Sequence, residues 1–215
     1  MKNFKKTEYF DLREEITLGK FPKVIGRAEE MDRLTRIINR SINNNVIVVG
    51  SSGTGKTSLV YGWVRNMAKQ DKYDHLGFIQ LDSEHLFNFD SNSEEGIYFK
   101  NVMGQLPSCV LFIDNLGRIV YGNLSLLQNT ARLYRDVLKN PEIRVILTIE
   151  PKEYSWIERE YPAFIKMFEV VKLKKQHNFE NVQILQSKML QLNKNHNVIV
   201  SSIEMEEIIS YVERF

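Results

Sequence analysis

The stretch Gly50-Ser51-Ser52-Gly53-Thr54-Gly55-Lys56-Thr57 carries the clearest chemistry in this chain, and it stands directly behind the apolar run Val46-Ile47-Val48-Val49. It fits the phosphate-holding pattern G-x-x-x-x-G-K-[ST], placed between a strand and a helix. Glycines let backbone N–H groups converge on phosphate oxygens, and a helix starting there aims its positive end at the same charge. Lys56 is expected to reach the β- and γ-phosphates, and the Thr57 hydroxyl to ligate Mg²⁺. Gly50, Ser51, Ser52, Gly53, Thr54, Gly55, Lys56, Thr57 and Ser58 therefore form the candidate nucleotide-binding set. Such a loop needs an acidic partner at the end of another apolar strand, to hold the metal. Val110-Leu111-Phe112-Ile113-Asp114 supplies it, making Asp114 the second candidate metal residue.

Those residues need a sheet to carry them. Besides the strand before the loop, the short apolar runs 77–81, 109–113, 144–149 and 168–173 read as strands buried on both faces. Helical spacing predicts helices over 29–42 (Met31, Leu34, Ile37, Ile38 and Ile42), 55–68, 94–105, 123–139 and 153–167. Strands alternating with helices imply a parallel sheet with right-handed crossovers. Residues 1–23 read as a charged lead-in, helical around 12–18. The tail reads as helices over 179–192 and 202–212, the latter opened by a capping box of Ser201 and Glu204. Tyr61, Trp63, Leu124, Leu126, Leu127 and Leu133 read as packing residues.

The 215 residues suit one α/β domain with a small appendage, and 43% hydrophobic with 26% charged residues is ordinary for a soluble protein. The net charge of +2, with short basic clusters at Lys2/Lys5/Lys6 and Lys172/Lys174/Lys175, gives no track for nucleic acid. The single cysteine, Cys109, opens an apolar run and reads as a buried small hydrophobe. His75, His85, His177 and His196 stand too far apart for metal-ligand spacing, and no G-x-S-x-G is present. The basic start runs into Asp11, Glu14 and Glu15 rather than an apolar segment, so the expectation is a soluble, cytoplasmic protein without a membrane segment.

A wider pattern resembles the first nucleotide-binding domain of Clp-type AAA+ chaperone ATPases, over roughly residues 10–215. Its elements are Val24-Ile25-Gly26-Arg27, Asn44-Asn45 before the loop strand, Leu111-Phe112-Ile113-Asp114 and Pro151-x-Glu153-Tyr154, with weaker echoes in Tyr161-Pro162-Ala163-Phe164, Ile184-Leu185 and His196–Ser201. The resemblance implies a P-loop αβα sandwich with a five-stranded parallel sheet over 24–175. A small helical lid would follow over 176–215, left incomplete where the chain stops. It also implies that Val24 and Ile25 lie on one side of adenine and Ile184 on the other, with ATP or ADP and Mg²⁺ as cofactors.

Against that family the sequence departs in several places. The residue after the metal-holding aspartate is normally the glutamate that polarises the attacking water; here it is Asn115. An amide holds a water but cannot take its proton, which slows chemistry by roughly two to four powers of ten. Glu150 and Asp114 are the carboxylates that would have to substitute. The polar sensor at the end of the next strand falls on Thr148-Ile149-Glu150, with Thr148 the candidate. The arginine pair that reaches a neighbour's nucleotide falls on Lys166 and Met167, and lysine lacks the planar fork of arginine. The stretch matching the substrate-gripping loop, Phe87 to Glu95, is acidic and polar.

Three classes of function remain open: an ATP-binding domain with weak or no hydrolysis that works through protein partners, an active unfoldase motor working in a ring, and an AAA+ ATPase acting on DNA. The departures favour the first, with the isolated chain a monomer. Asn115, Thr148 and Lys166 are the candidate catalytic positions.

Overall fold

Every residue of Val46–Val49 and of Cys109–Ile113 is buried, which requires a sheet covered on both faces. The computed structural model describes residues 9–19, 21, 24–81, 108–138, 140–176, 178–196 and 202–212. Among them the strands are β1 (Tyr9–Asp11), β2 (Val46–Val49), β3 (Gly77–Leu81), β4 (Cys109–Ile113), β5 (Ile143–Ile149) and β6 (Glu169–Lys172). The helices are α1 (Leu12–Thr17), α2 (Ala28–Ile38), α3 (Lys56–Met67), α4 (Leu116–Val120), α5 (Leu124–Val137), α6 (Pro151–Glu160), α7 (Pro162–Ile165), α8 (Asn178–His196) and α9 (Ser202–Val212).

The sheet runs β1-β3-β4-β5-β2-β6, with β1 antiparallel to β3 and the other neighbours parallel. Alternate residues of each strand go to opposite sides. Val46, Val48, Val110, Phe112 and Ile146 pack with Leu12 of α1, Leu34, Ile37 and Ile38 of α2, and Leu59, Val60 and Trp63 of α3. Ile47, Val49, Leu111, Ile113, Val145, Leu147 and Ile149 pack with residues of α4, α5, α6 and α7, including Leu116, Leu127, Ala131, Ile157 and Phe164. The result is an αβα sandwich. Burying this many large apolar side chains, at about 1.5–3 kcal/mol each, is what holds the layers together.

The sheet has six strands rather than five, because the lead-in contributes β1. Its role is to edge β3 and launch α1, whose start is capped by Asp11 accepting from Arg13 N at 2.9 Å. The expected helix over 29–42 stops at Ile38, and Ile42 is 77% exposed in the following turn, where Asn43 takes a positive φ of 52°. Asn45 then locks the loop strand to its neighbour: its side chain accepts from Val145 N at 2.8 Å. The expected helix over 153–167 is two helices, because Pro162 forces the residue before it out of helical geometry. Tyr61 and Trp63 do pack, Trp63 with its Nε1 on Thr35 Oγ1 at 3.0 Å. Leu127 and Leu133 are buried, but Leu124 is 40% exposed at the start of α5. The expected helix over 94–105, the stretch from Phe87 to Glu95, Lys2, Lys5, Lys6, His85, His177 and Ser201 lie outside the described residues.

The chain divides into two compact units, one of Met1–Pro22 with Ala28–Leu173 and one of Lys23–Arg27 with Lys174–Phe215. The sandwich is the first. In the second, the segment carrying Val24 and Ile25 is held against the chain around α8: Gln176 Nε2 donates to Ile25 O at 3.1 Å. Gly26, at φ 71°, must be glycine there, because an added Cβ would lie 2.5 Å from Glu180 Oε1. Among the described residues no helix is long and apolar enough to cross a membrane.

Candidate functional site

Between β2 and α3 the chain turns on Gly53 (φ 76°) and Gly55 (φ 85°), conformations that side chains with a Cβ rarely adopt. Gly50 is required for space, since a Cβ on it would lie 2.6 Å from Thr54 Oγ1. The loop is tied internally: Thr54 donates from its N–H (3.3 Å) and its hydroxyl (2.8 Å) to Ser51 O. Lys56, only 7% exposed, folds back over the loop and donates from Nζ to Gly50 O at 2.8 Å and Ser51 O at 3.1 Å. This is a compact backbone turn with one ammonium inside it and helix α3 behind it, an arrangement suited to phosphate.

The acidic partner arrives by strand alternation. Phe112 and Ile146 face α3, so Asp114 and Thr148, each two residues further on, fall on the same side. The register pairs Ile113 with Leu147, which sets Asp114 one step on beside Thr148. Three hydrogen bonds follow. The Thr57 hydroxyl donates to Asp114 Oδ2 at 2.7 Å. The Thr148 hydroxyl, fully buried, donates to Asp114 Oδ1 and accepts from the Asn115 N–H at 2.8 Å. Both oxygens of one carboxylate are thus engaged by hydroxyls from two other elements.

Close by, Tyr61 donates to Gln80 Oε1 at 2.8 Å and stacks on Phe21 at 3.9 Å. Burial raises its phenol above the ordinary value, and the charge of Asp114 adds to that, so it stays a neutral donor.

A hydroxyl and a carboxylate at hydrogen-bond distance fit Mg²⁺, which takes one or two protein oxygens and completes its shell with water and phosphate. Among the described residues no three His, Cys, Asp or Glu side chains cluster as a protein-only metal cage.

Of the other expected residues, Asn115 meets this site through its backbone N–H and the rest lie elsewhere. Asn115 is exposed at a left-handed bend, φ 56° and ψ 34°, and leads into α4. Glu150 precedes α6, half-buried, with Lys152 Nζ 4.0 Å from its carboxylate. Lys166 is exposed after α7. Val24, Ile25 and Ile184 are half-buried in the second unit.

One residue near the site went unassigned. Glu153 is 5% exposed, accepts from Glu150 N at 2.8 Å, and lies against Gly117 of α4 so closely that a Cβ there would meet its Oε2 at 2.2 Å. Its signal was present: a glutamate at the third position of a proline-started helix is half of a capping box.

Residues 11–118 match the family described as "Protein of unknown function (DUF815)". The chaperone protein ClpB of Nitratidesulfovibrio vulgaris is 28% identical over 215 residues, covering 95% of this chain and 25% of that protein. The AAA+ ATPase ClpV1 of Pseudomonas aeruginosa is 24% identical over 216 residues, covering 95% of this chain and 24% of that one. The chain thus spans about a quarter of the length of these curated relatives. The solved S. cerevisiae Hsp104–ADP complex superposes with a TM-score of 0.81 at 22% identity, over 98% of this chain and 37% of that one. That likeness shows the fold, an α/β sandwich.

Proposed function

This chain belongs to the DUF815 family and is related to Clp-type AAA+ chaperones, and from that premise we propose that it binds ATP and ADP with Mg²⁺ and hydrolyses ATP slowly at best. The observation that carries the reading is the 2.7 Å hydrogen bond between Thr57 and Asp114, residues 57 positions apart in sequence. Nothing in sandwich packing requires a threonine hydroxyl and an aspartate to meet at the carboxyl edge of a parallel sheet. Binding Mg²⁺ with a triphosphate does require it.

In this reading the N–H groups of Gly53, Gly55, Lys56 and Thr57 hold the β-phosphate, and Lys56 Nζ leaves the Gly50 and Ser51 carbonyls for phosphate oxygen. Mg²⁺, when bound, would supply positive charge to the phosphates. Thr57 and Asp114 hold the ion, and Thr148 orients Asp114. ADP is also the ligand named for the Hsp104 structure above.

Slow hydrolysis follows from Asn115, which offers no proton acceptor, and from the exposed Lys166 in place of a forked arginine. The chain then acts as a nucleotide-dependent element for protein partners, monomeric at micromolar concentration, in a reducing cytosol where buried Cys109 needs no disulfide partner. A thermal-shift titration with millimolar Mg-ATP and Mg-ADP tests binding: the melting temperature rises with both. No shift with either refutes the reading.

The relatives' names, a chaperone and an ATPase, favour a second reading as an active chaperone ATPase, which we take to work as a motor in a ring. A specific ATPase rate that rises with protein concentration would support it.

A further inference from the structure

The geometry points to a positioning role for Asn115 that rests on its backbone rather than on its amide side chain, and this inference builds on the Mg-nucleotide reading above. At φ 56° and ψ 34° the residue sits in the left-handed region, which is steric strain for most L-residues and is tolerated by glycine and asparagine. The bend is needed. β4 ends buried at Ile113, and α4 begins at Leu116 with Leu116 and Gly117 buried in turn. The chain must therefore reverse within Asp114 and Asn115. A residue starting a helix ordinarily accepts with its side chain from the first turn. The Asn115 side chain makes no such capping bond, while its carbonyl accepts from Arg118 N at 3.1 Å.

At the start of the bend the Asn115 N–H donates to Thr148 Oγ1 at 2.8 Å, a position it keeps only while the 114–115 peptide is held. A hydroxyl has one proton. With the N–H fixed on its lone pair, Thr148 turns that proton to Asp114 Oδ1. Asn115 therefore sets the orientation of the carboxylate that the metal uses, through a relay of N–H, hydroxyl and carboxylate. With Ile113 and Leu116 both held in the core, a residue that resists this φ forces the Asp114–Asn115 peptide to turn instead, so the N–H leaves Thr148, Thr148 is free to rotate, and the metal-ready fraction falls. The apparent affinity falls with that fraction. Phosphate contacts made by Lys56 and the loop amides are separate, so metal-free nucleotide binding is insulated.

The experiment compares Asn115→Gly with Asn115→Ala, both of which delete the amide while only glycine keeps the left-handed bend freely. ADP titrations at graded Mg²⁺ and in EDTA are followed by calorimetry. The expected result is that Asn115→Ala needs about fivefold more Mg²⁺ than Asn115→Gly for half-maximal ADP binding, with the two variants equal in EDTA. Equal Mg²⁺ demand in the two variants overturns the inference and returns the role to the side chain. Should Asn115→Ala not fold, Thr148→Val against Thr148→Ser decides it: the serine variant must restore the Mg²⁺ response that valine loses, and failure to restore it overturns the relay. Wild-type protein that binds no Mg-ADP refutes the nucleotide reading, and this inference with it.

Discussion

The Thr57 hydroxyl donates to Asp114 Oδ2 at 2.7 Å, so one proton joins the first turn of α3 to the residue that follows β4. Because Thr148 engages the other oxygen, the carboxylate is held flat between two hydroxyls rather than left to rotate.

Asp114→Asn keeps the side chain's size and one acceptor oxygen while removing the charge. Nucleotide affinity in EDTA should stay near the wild-type value, and the gain on adding Mg²⁺ should largely vanish. Calorimetry with and without EDTA reads both. A full Mg²⁺ gain in the variant would mean that another residue holds the ion.

Asn115→Glu places a carboxylate beside Asp114 and is expected to raise ATP turnover if that position lacks only its proton acceptor. The same substitution puts a residue with low left-handed tolerance at φ 56°, costing about 1 kcal/mol and hence roughly 2–4 °C in Tm for a chain of this size. Phosphate-release assays and thermal melts measure the two effects separately. Unchanged turnover with intact ATP binding means either that Asn115 is not the water-polarising position or that Lys166 is limiting, and adding Lys166→Arg separates the two: the rate rises only in the second case.

Gly117→Ala drives a methyl into the Glu153 carboxylate, 2.2 Å away, at a position where both partners are buried. Overpacking of this kind costs about 1–3 kcal/mol. Urea denaturation should show the loss, and Glu153→Ala in the same chain should recover part of it. Additive losses would mean that the two side chains do not meet.

Cys109 is buried in the core, and burial pushes its thiol up to about 12. Below pH 9 the thiol is neutral in both the folded and the unfolded chain, so its contribution to stability is fully present. As pH rises from about 9 towards 12, only the unfolded chain releases the proton, and that contribution is progressively lost. At pH 8 a thiol reagent should label the native protein only at the rate of unfolding. Rapid labelling in native buffer would contradict the buried placement.

The loop and its acidic partner were readable because each is a contiguous run whose neighbours fix its structure: four apolar residues before Gly50, and four before Asp114. Thr148 was narrowed only to within two residues, because its place depends on pairing between β4 and β5, which no local pattern encodes. The left-handed bend at Asn115 was hidden for a similar reason. Sequence offered an amide where relatives carry a carboxylate, whereas the need for the bend comes from burying Ile113 and Leu116 on either side of it. β1 escaped because three residues among charges carry too little periodicity to separate strand from helix. Glu153 was seen only as part of a resemblance, and its contact with Gly117 is a packing fact between two helices.

Titration calorimetry of the wild-type chain and Lys56→Ala with Mg-ATP and Mg-ADP tests the central claim most directly. Lys56 is the one side-chain cation inside the loop among the described residues, held on Gly50 O and Ser51 O. The account predicts saturable binding of both nucleotides to the wild-type chain and no detectable heat with Lys56→Ala, with both proteins folded by circular dichroism. Absence of binding to the wild-type chain, or equal binding to Lys56→Ala, would contradict it.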